Sequence, residues 1–124
     1  MAKPKRVLFV CEGNVHRSPT AEWLYSNTPG IQARSAGLAT SARVQVTEEL
    51  LNWANSVFIM ERRLVTLLRR RFEPLLAGKE LVCLDVPDDF QFRQSELVVI
   101  LVERLTPYLG QPSPIDSDTE DSNR

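Results

Sequence analysis

Five residues separate Cys11 from Arg17 in the stretch Arg6-Val7-Leu8-Phe9-Val10-Cys11-Glu12-Gly13-Asn14-Val15-His16-Arg17-Ser18-Pro19. A thiolate is a strong nucleophile, and a guanidinium is a planar fork that can grip two oxygens of one phosphoryl group. Together they could displace a group from phosphorus, with the sulfur attacking in line and the arginine holding the equatorial oxygens. That chemistry needs both side chains at one anion site.

The surrounding residues predict such a site. Val7, Leu8, Phe9 and Val10 form a short apolar run suited to a strand buried on both faces. Gly13 and Asn14 are turn formers. Ser18 followed by Pro19 reads as a helix N-cap and first helical position. The backbone from Glu12 to Arg17 should therefore curl into a nest of N–H groups at a helix N-terminus, where nest and dipole favour a dianion. The same positive field should stabilise a thiolate at Cys11. Alternatively, Cys11 is an inert core thiol, a reading that the glycine, arginine and serine beside it disfavour.

The run Val10-Cys11-Glu12-Gly13-Asn14-Val15-His16-Arg17-Ser18-Pro19-Thr20-Ala21-Glu22 resembles the phosphate loop of low-molecular-weight protein-tyrosine phosphatases. The resemblance implies that Glu12, Gly13, Asn14, Val15, His16, Arg17 and Ser18 bind phosphate, with Cys11 and Arg17 catalytic. It implies that Ser35, in Ser35-Ala36-Gly37, supports the loop beside Asn14 and Ser18. The family usually carries a second cysteine before the arginine, and here that residue is His16. Disulfide protection of the nucleophile should then be missing. His16, the only histidine, reads either as a base or as a residue that packs or hydrogen-bonds beside the loop.

The resemblance extends to Ala54-Asn55-Ser56-Val57-Phe58-Ile59-Met60-Glu61, where Glu61 stands in place of a frequent aspartate, and to Asp85-Val86-Pro87-Asp88-Asp89-Phe90. Aligned on Pro87 and Phe90, Asp88 takes the place of the aspartate that protonates the leaving oxygen. Asp85, at the strand's end, is the alternative acid, and all three aspartates could equally be solvated loop carboxylates. Phe90 and Phe92 could flank an aryl substrate, while Phe92 could also be core. The connector from Leu38 to Val46 lacks the aromatic wall of the family and the histidine that holds the loop asparagine, which predicts a more open pocket.

The elements that must position these residues alternate strand and helix. Helices are predicted over 19–27, from Thr47 on, around Leu64, Leu68 and Phe72, and over 95–106, with Ser95 as cap and Pro107 as stop. Strands are predicted over 31–35, 56–60 and 81–84. This pattern predicts an α/β fold with a parallel sheet and helices on both faces, the phosphate loop following the first strand. The resemblance implies a three-layer arrangement with four strands over 6–109.

A chain of 124 residues with net charge −1 makes one domain. Residues 1–5 read as a flexible lead, and 110–124, rich in proline, serine and acid, as a disordered acidic tail. The tail's four carboxylates against Arg124 leave the body only slightly basic, which suits an anionic substrate but not nucleic acid. Two cysteines without framework spacing and the lack of a long apolar run predict a cytoplasmic enzyme with no membrane partner. Arg62, Arg63, Arg69, Arg70 and Arg71 read as a solvated helix face.

The expected activity is hydrolysis of phosphotyrosine, in a protein, or of a similar small aryl phosphate, through a phosphocysteine, with no cofactor and no metal. Asp88 would protonate the leaving group and then activate water, so the best pH should be mildly acidic. Two alternatives remain: a non-catalytic phosphate-binding or interaction module, and a thiol-dependent arsenate reductase, which needs more cysteines than Cys83 to relay oxidation. The sequence fixes no oligomeric state.

Overall fold

The computed structural model describes residues 3–114. Its elements alternate as the periodicity predicts: β1 (Lys5–Cys11), α1 (Arg17–Tyr25), β2 (Ile31–Gly37), α2 (Glu48–Trp53), β3 (Ser56–Ile59), α3 (Arg62–Phe72), a 3₁₀ turn (Glu73–Leu76), β4 (Glu80–Cys83) and α4 (Ser95–Leu109). The four strands are all parallel, in the order β2-β1-β3-β4. Beginning at the centre and growing outward both ways leaves the mouth of the sheet, at the carboxyl ends of β1 and β3, free for a ligand.

Alternation along β1 divides the core in two. Val7, Phe9 and Cys11 face α1 and α4, meeting Ala21, Leu24, Tyr25, Leu97, Leu101 and Leu105. Leu8 and Val10 face α2 and α3, meeting Leu51, Leu64 and Leu68. A strand apolar on both sides is what a helix-covered parallel sheet demands. The chain thus has the three-layer α/β architecture with the loop after β1.

Several boundaries differ from the expectation, each for a local reason. Helix α1 begins at Arg17 with His16 as N-cap, so Ser18 is not the cap. Its hydroxyl is taken up by Cys11 instead. Pro19 is tolerated because the first helical N–H groups have no partner within the helix. Helix α4 does not stop at Pro107 but runs through it to Leu109, and its N-cap is Gln94 rather than Ser95. The helix ends where the Gly110 N–H bonds the Thr106 carbonyl with glycine at φ 76°. At α2 the expected cap is present, with Thr47 accepting from the Leu50 N–H at 3.1 Å.

Residues 115–124 of the expected tail, and residues 1 and 2 of the expected lead, lie outside the described residues. At the start of that tail the Gly110 carbonyl accepts from the Tyr25 hydroxyl at 2.7 Å, and the Ser113 N–H donates to Thr28 Oγ1 at 2.9 Å. Among the described residues, no helix is long and apolar enough to cross a membrane.

Candidate active site

Strand β1 delivers Cys11 to the sheet's carboxyl edge, only 3 % exposed. Residues 12–16 turn back over it to the start of α1. The left-handed position in that turn is Asn14, at φ 55°, not Gly13. Asparagine tolerates this region because its short side chain can bond locally. It does so here, as the Asn14 N–H points at Cys11 Sγ from 3.2 Å and Nδ2 donates to Ser18 Oγ and Ser35 Oγ, both at 2.9 Å.

These bonds have a direction. Ser35 gives its proton to Glu22 Oε1 at 2.5 Å, so its oxygen is free to accept from Asn14. Ser18 likewise accepts from Asn14, and its single proton has Cys11 Sγ at 2.9 Å against the Ala36 carbonyl at 3.5 Å. The shorter path leads to sulfur. A chain from Glu22 through Ser35, Asn14 and Ser18 thus ends with the Asn14 N–H and the Ser18 hydroxyl directed at Cys11 Sγ. Asn14 Oδ1 is buried with no hydrogen-bond partner among the described residues.

One glycine has no alternative. A Cβ on Gly37 would run into the Glu12 carbonyl oxygen and lie 2.8 Å from Ala42 Cβ and 3.0 Å from the Asn14 nitrogen. The loop over Cys11 therefore rests on the bare backbone at the end of β2. At Gly13 an added Cβ would meet only Val15, at 3.7 Å.

Arg17 is 2 % exposed, so its charge needs partners. Nη1 meets Glu61 Oε2 at 2.6 Å and the Val86 carbonyl at 2.8 Å, and Nε lies 3.6 Å from Asp88 Oδ1. Glu61 also takes Arg63 Nε at 3.0 Å, and Arg63 reaches on to Glu12 in the phosphate loop. Partial desolvation would raise the Glu61 carboxyl, but Arg17 and Arg63 outweigh it and hold it below the ordinary range. The hydrogen bonds that Arg63 donates to Glu12 and Glu61 push its guanidinium up. The positioning part of Glu61 was not assigned from the sequence. Its location just after β3, opposite the loop, was the available signal.

The two candidate acids separate. Asp88 lines the same cavity as Cys11, Glu12, Gly13, Val15, His16, Arg17, Ala39 and Ser41, a space of about 360 Å³. Asp85 does not line that cavity. It lies 61 % exposed, 3.9 Å from Arg62, with Cys83 Sγ donating to it at 3.4 Å. No phenylalanine, tyrosine or tryptophan ring lines the cavity. Phe90 packs against the α1–α4 core, and Phe92 is 44 % exposed in an adjoining groove with Val15, His16, Pro19 and Arg43.

Cys83 stands in register with Ile59, which stands in register with Val10. Two interstrand steps put it about 9.6 Å from Val10 by backbone position, beyond disulfide reach of the neighbouring Cys11. Burial raises the Cys83 thiol. The relay that arsenate reduction would need has no second sulfur at this site.

No protein-family model and no curated protein matches the chain. Solved structures match it over nearly its whole length. It is similar to the YwlE arginine phosphatase from Geobacillus stearothermophilus, with TM-score 0.67 and 24% identity over 98% of this chain and 97% of that one. It is similar to SP-PTP, a low molecular weight protein tyrosine phosphatase from Streptococcus pyogenes, with TM-score 0.70 and 17% identity over 93% and 97%. Wzb from Vibrio vulnificus, in complex with benzylphosphonate, aligns with TM-score 0.69 and 21% identity over 85% and 97%. The resemblance to low-molecular-weight phosphatases thus extends from the loop to the whole fold.

Proposed function

We propose that this chain is a phosphomonoester hydrolase that works through a phosphocysteine, with phosphotyrosine in a protein or a similar aryl phosphate as substrate. The observation that carries the reading is the floor of the cavity. Cys11 Sγ lies there with the Asn14 N–H and the Ser18 hydroxyl directed at it, and Arg17 and Asp88 line the walls. In the first step sulfur bonds to phosphorus and the bond to the leaving oxygen breaks. Loop N–H groups and Arg17 hold the equatorial oxygens, and Asp88 gives its proton to the leaving oxygen. In the second step Asp88 takes a proton from water, which attacks phosphorus and expels the thiolate, with Ser18 donating to sulfur. Glu61 is a positioning residue for Arg17. A reduced nucleophile suits a reducing compartment, and we assign the protein to the cytoplasm.

Steady hydrolysis of p-nitrophenyl phosphate, absent in Cys11→Ser, tests the reading against a non-catalytic module. A phosphorylated intermediate should be trapped on Cys11 by rapid acid quench. Asp88→Asn should lower kcat/KM for phenyl phosphate by about 100-fold or more, while Asp85→Asn stays within about threefold. The reverse ranking would transfer the acid to Asp85.

One observation favours a second substrate class. The cavity wall holds the carboxylates of Glu12 and Asp88 and no phenyl, phenol or indole ring. Such a mouth also suits a guanidinium, and structures similar in fold include arginine phosphatases. The ratio of kcat/KM for a phosphotyrosine peptide and the matching phosphoarginine peptide decides between them.

A further inference from the structure

The loop that carries Asp88 is fastened to the phosphate loop by a histidine ring. The Phe92 N–H donates to His16 Nδ1 at 3.0 Å. One residue on, the Arg93 N–H donates to Thr20 Oγ1 at 2.9 Å, and Thr20 Oγ1 in turn donates to the His16 carbonyl at 2.6 Å. At the loop's other end the Val86 carbonyl accepts from Arg17. Asp88 therefore hangs between attachments to His16 and Thr20 on one side and to Arg17 on the other. Between the attachments Asp88 is 59 % exposed, with Arg17 Nε at 3.6 Å as its ion-pair partner. Arg93 accepts its attachment with a left-handed backbone, φ 64°, a conformation that costs energy outside glycine and persists only when neighbours hold it.

We propose that His16 is a positioning residue for this proposed phosphatase: as a neutral imidazole it clips the Asp88 loop over Cys11, and on taking a second proton it lets that loop go. The inference rests on the phosphatase reading for its catalytic consequence but not for the clip itself. An imidazole accepts at Nδ1 only while its proton is on Nε2. The imidazolium has no lone pair there and would set N–H against N–H. Charged groups line the two cavities that His16 lines. Glu12 and Arg17 come from the phosphate loop and helix, Asp88 from the clipped loop, and Arg43 from the connector; Cys11 lies at the cavity floor. The Arg93 guanidinium is drawn aside over the Trp23 and Phe92 rings.

Two variants test this. His16→Ala removes the acceptor, and His16→Asn offers an amide oxygen at the same reach that does not titrate. Amide hydrogen exchange by NMR reads the clip directly in the whole protein without substrate. Protection of the Phe92 amide should fall about tenfold in wild type as the His16 ring protonates, be low at all pH in the alanine variant, and stay constant in the asparagine variant. In catalysis, His16→Ala should cost about tenfold or more in kcat/KM for phenyl phosphate, whose leaving group needs the proton. For p-nitrophenyl phosphate, whose leaving group does not, it should cost less than threefold. His16→Asn should recover the phenyl phosphate rate. An equal loss on both substrates, or Phe92 protection that ignores the state of the ring, overturns the proposal. Absence of any Cys11-dependent turnover refutes the phosphatase reading instead, and leaves the exchange measurement to judge the clip.

Discussion

Removing the Glu61 carboxylate should unbalance the whole site, and the structure sets the size of the effect. Arg17 is 2 % exposed and has three acceptors: Glu61 at 2.6 Å, the Val86 carbonyl at 2.8 Å and Asp88 at 3.6 Å. In Glu61→Ala the guanidinium keeps a neutral carbonyl and a distant, exposed carboxylate. Stripping the partner from a fully buried ion costs about 3–5 kcal/mol. Glu61 is 25 % exposed, so solvent makes up part of the loss, and about 2–3 kcal/mol is expected. For a domain of this size that corresponds to a fall in Tm of about 10 °C. Glu61→Gln keeps an acceptor without the charge and should lose about half as much. The deficit should also depend on pH with a definite sign. The folded carboxyl titrates below its ordinary value of 4.5, so its contribution is complete above 4.5 and is lost as pH falls through the lower folded value. The gap between wild type and Glu61→Gln should therefore close on acidification. Urea unfolding across this range, with thermal melts at neutral pH, measures both. An alanine variant that melts within about 2 °C of wild type, or a gap that widens in acid, would refute the reasoning.

Three further outcomes follow from other parts of the fold. Gly37→Ala should lower stability by about 3 kcal/mol and phosphate affinity with it, because the new methyl displaces the Glu12 carbonyl; thermal melts with and without phosphate check this. Burial pushes the Tyr25 phenol from 10.0 up to about 12, so the fold retains a proton that the unfolded chain releases. Stability should then fall by about 2–3 kcal/mol as pH rises through that interval, and Tyr25→Phe, measured by urea midpoints, should lack this loss. Peroxide should oxidise Cys11 without forming an internal disulfide, since Cys83 is two strands away. Intact mass without reductant should show added oxygen and no species lacking two hydrogens.

What could be read in the sequence was what local chemistry dictates. The apolar run before Cys11, the turn formers after it and the capping Thr47 each announce one element, and the elements form where announced. Ser18 misled because a serine before proline is a good cap, yet a hydroxyl beside sulfur has a better partner. Pro107 misled because a proline in a helix's last turn costs one hydrogen bond and crowds the carbonyl four residues back, yet α4 continues through it to Leu109. Contacts across the chain were not legible. Nothing near Arg17 in sequence says that Glu61 and Val86 will meet it, nor that Phe92 will find His16. Those pairings depend on strand order, which no local pattern encodes. The resemblance supplied Asp88 over Asp85; in the fold Asp88 lines the cavity that Cys11 also lines, and Asp85 does not.

The strand order also governs when the site can exist during synthesis. Cys11 and Arg17 leave the ribosome early, and β1 can pair with β2 once the chain reaches Gly37. At that moment Arg17 has no counterion, because Glu61 and Val86 are still to be made. A nascent chain therefore carries its signature motif long before it can tolerate that cation indoors. A segment made before its partners is thus completed after them, when Glu61 and Val86 arrive to hold Arg17.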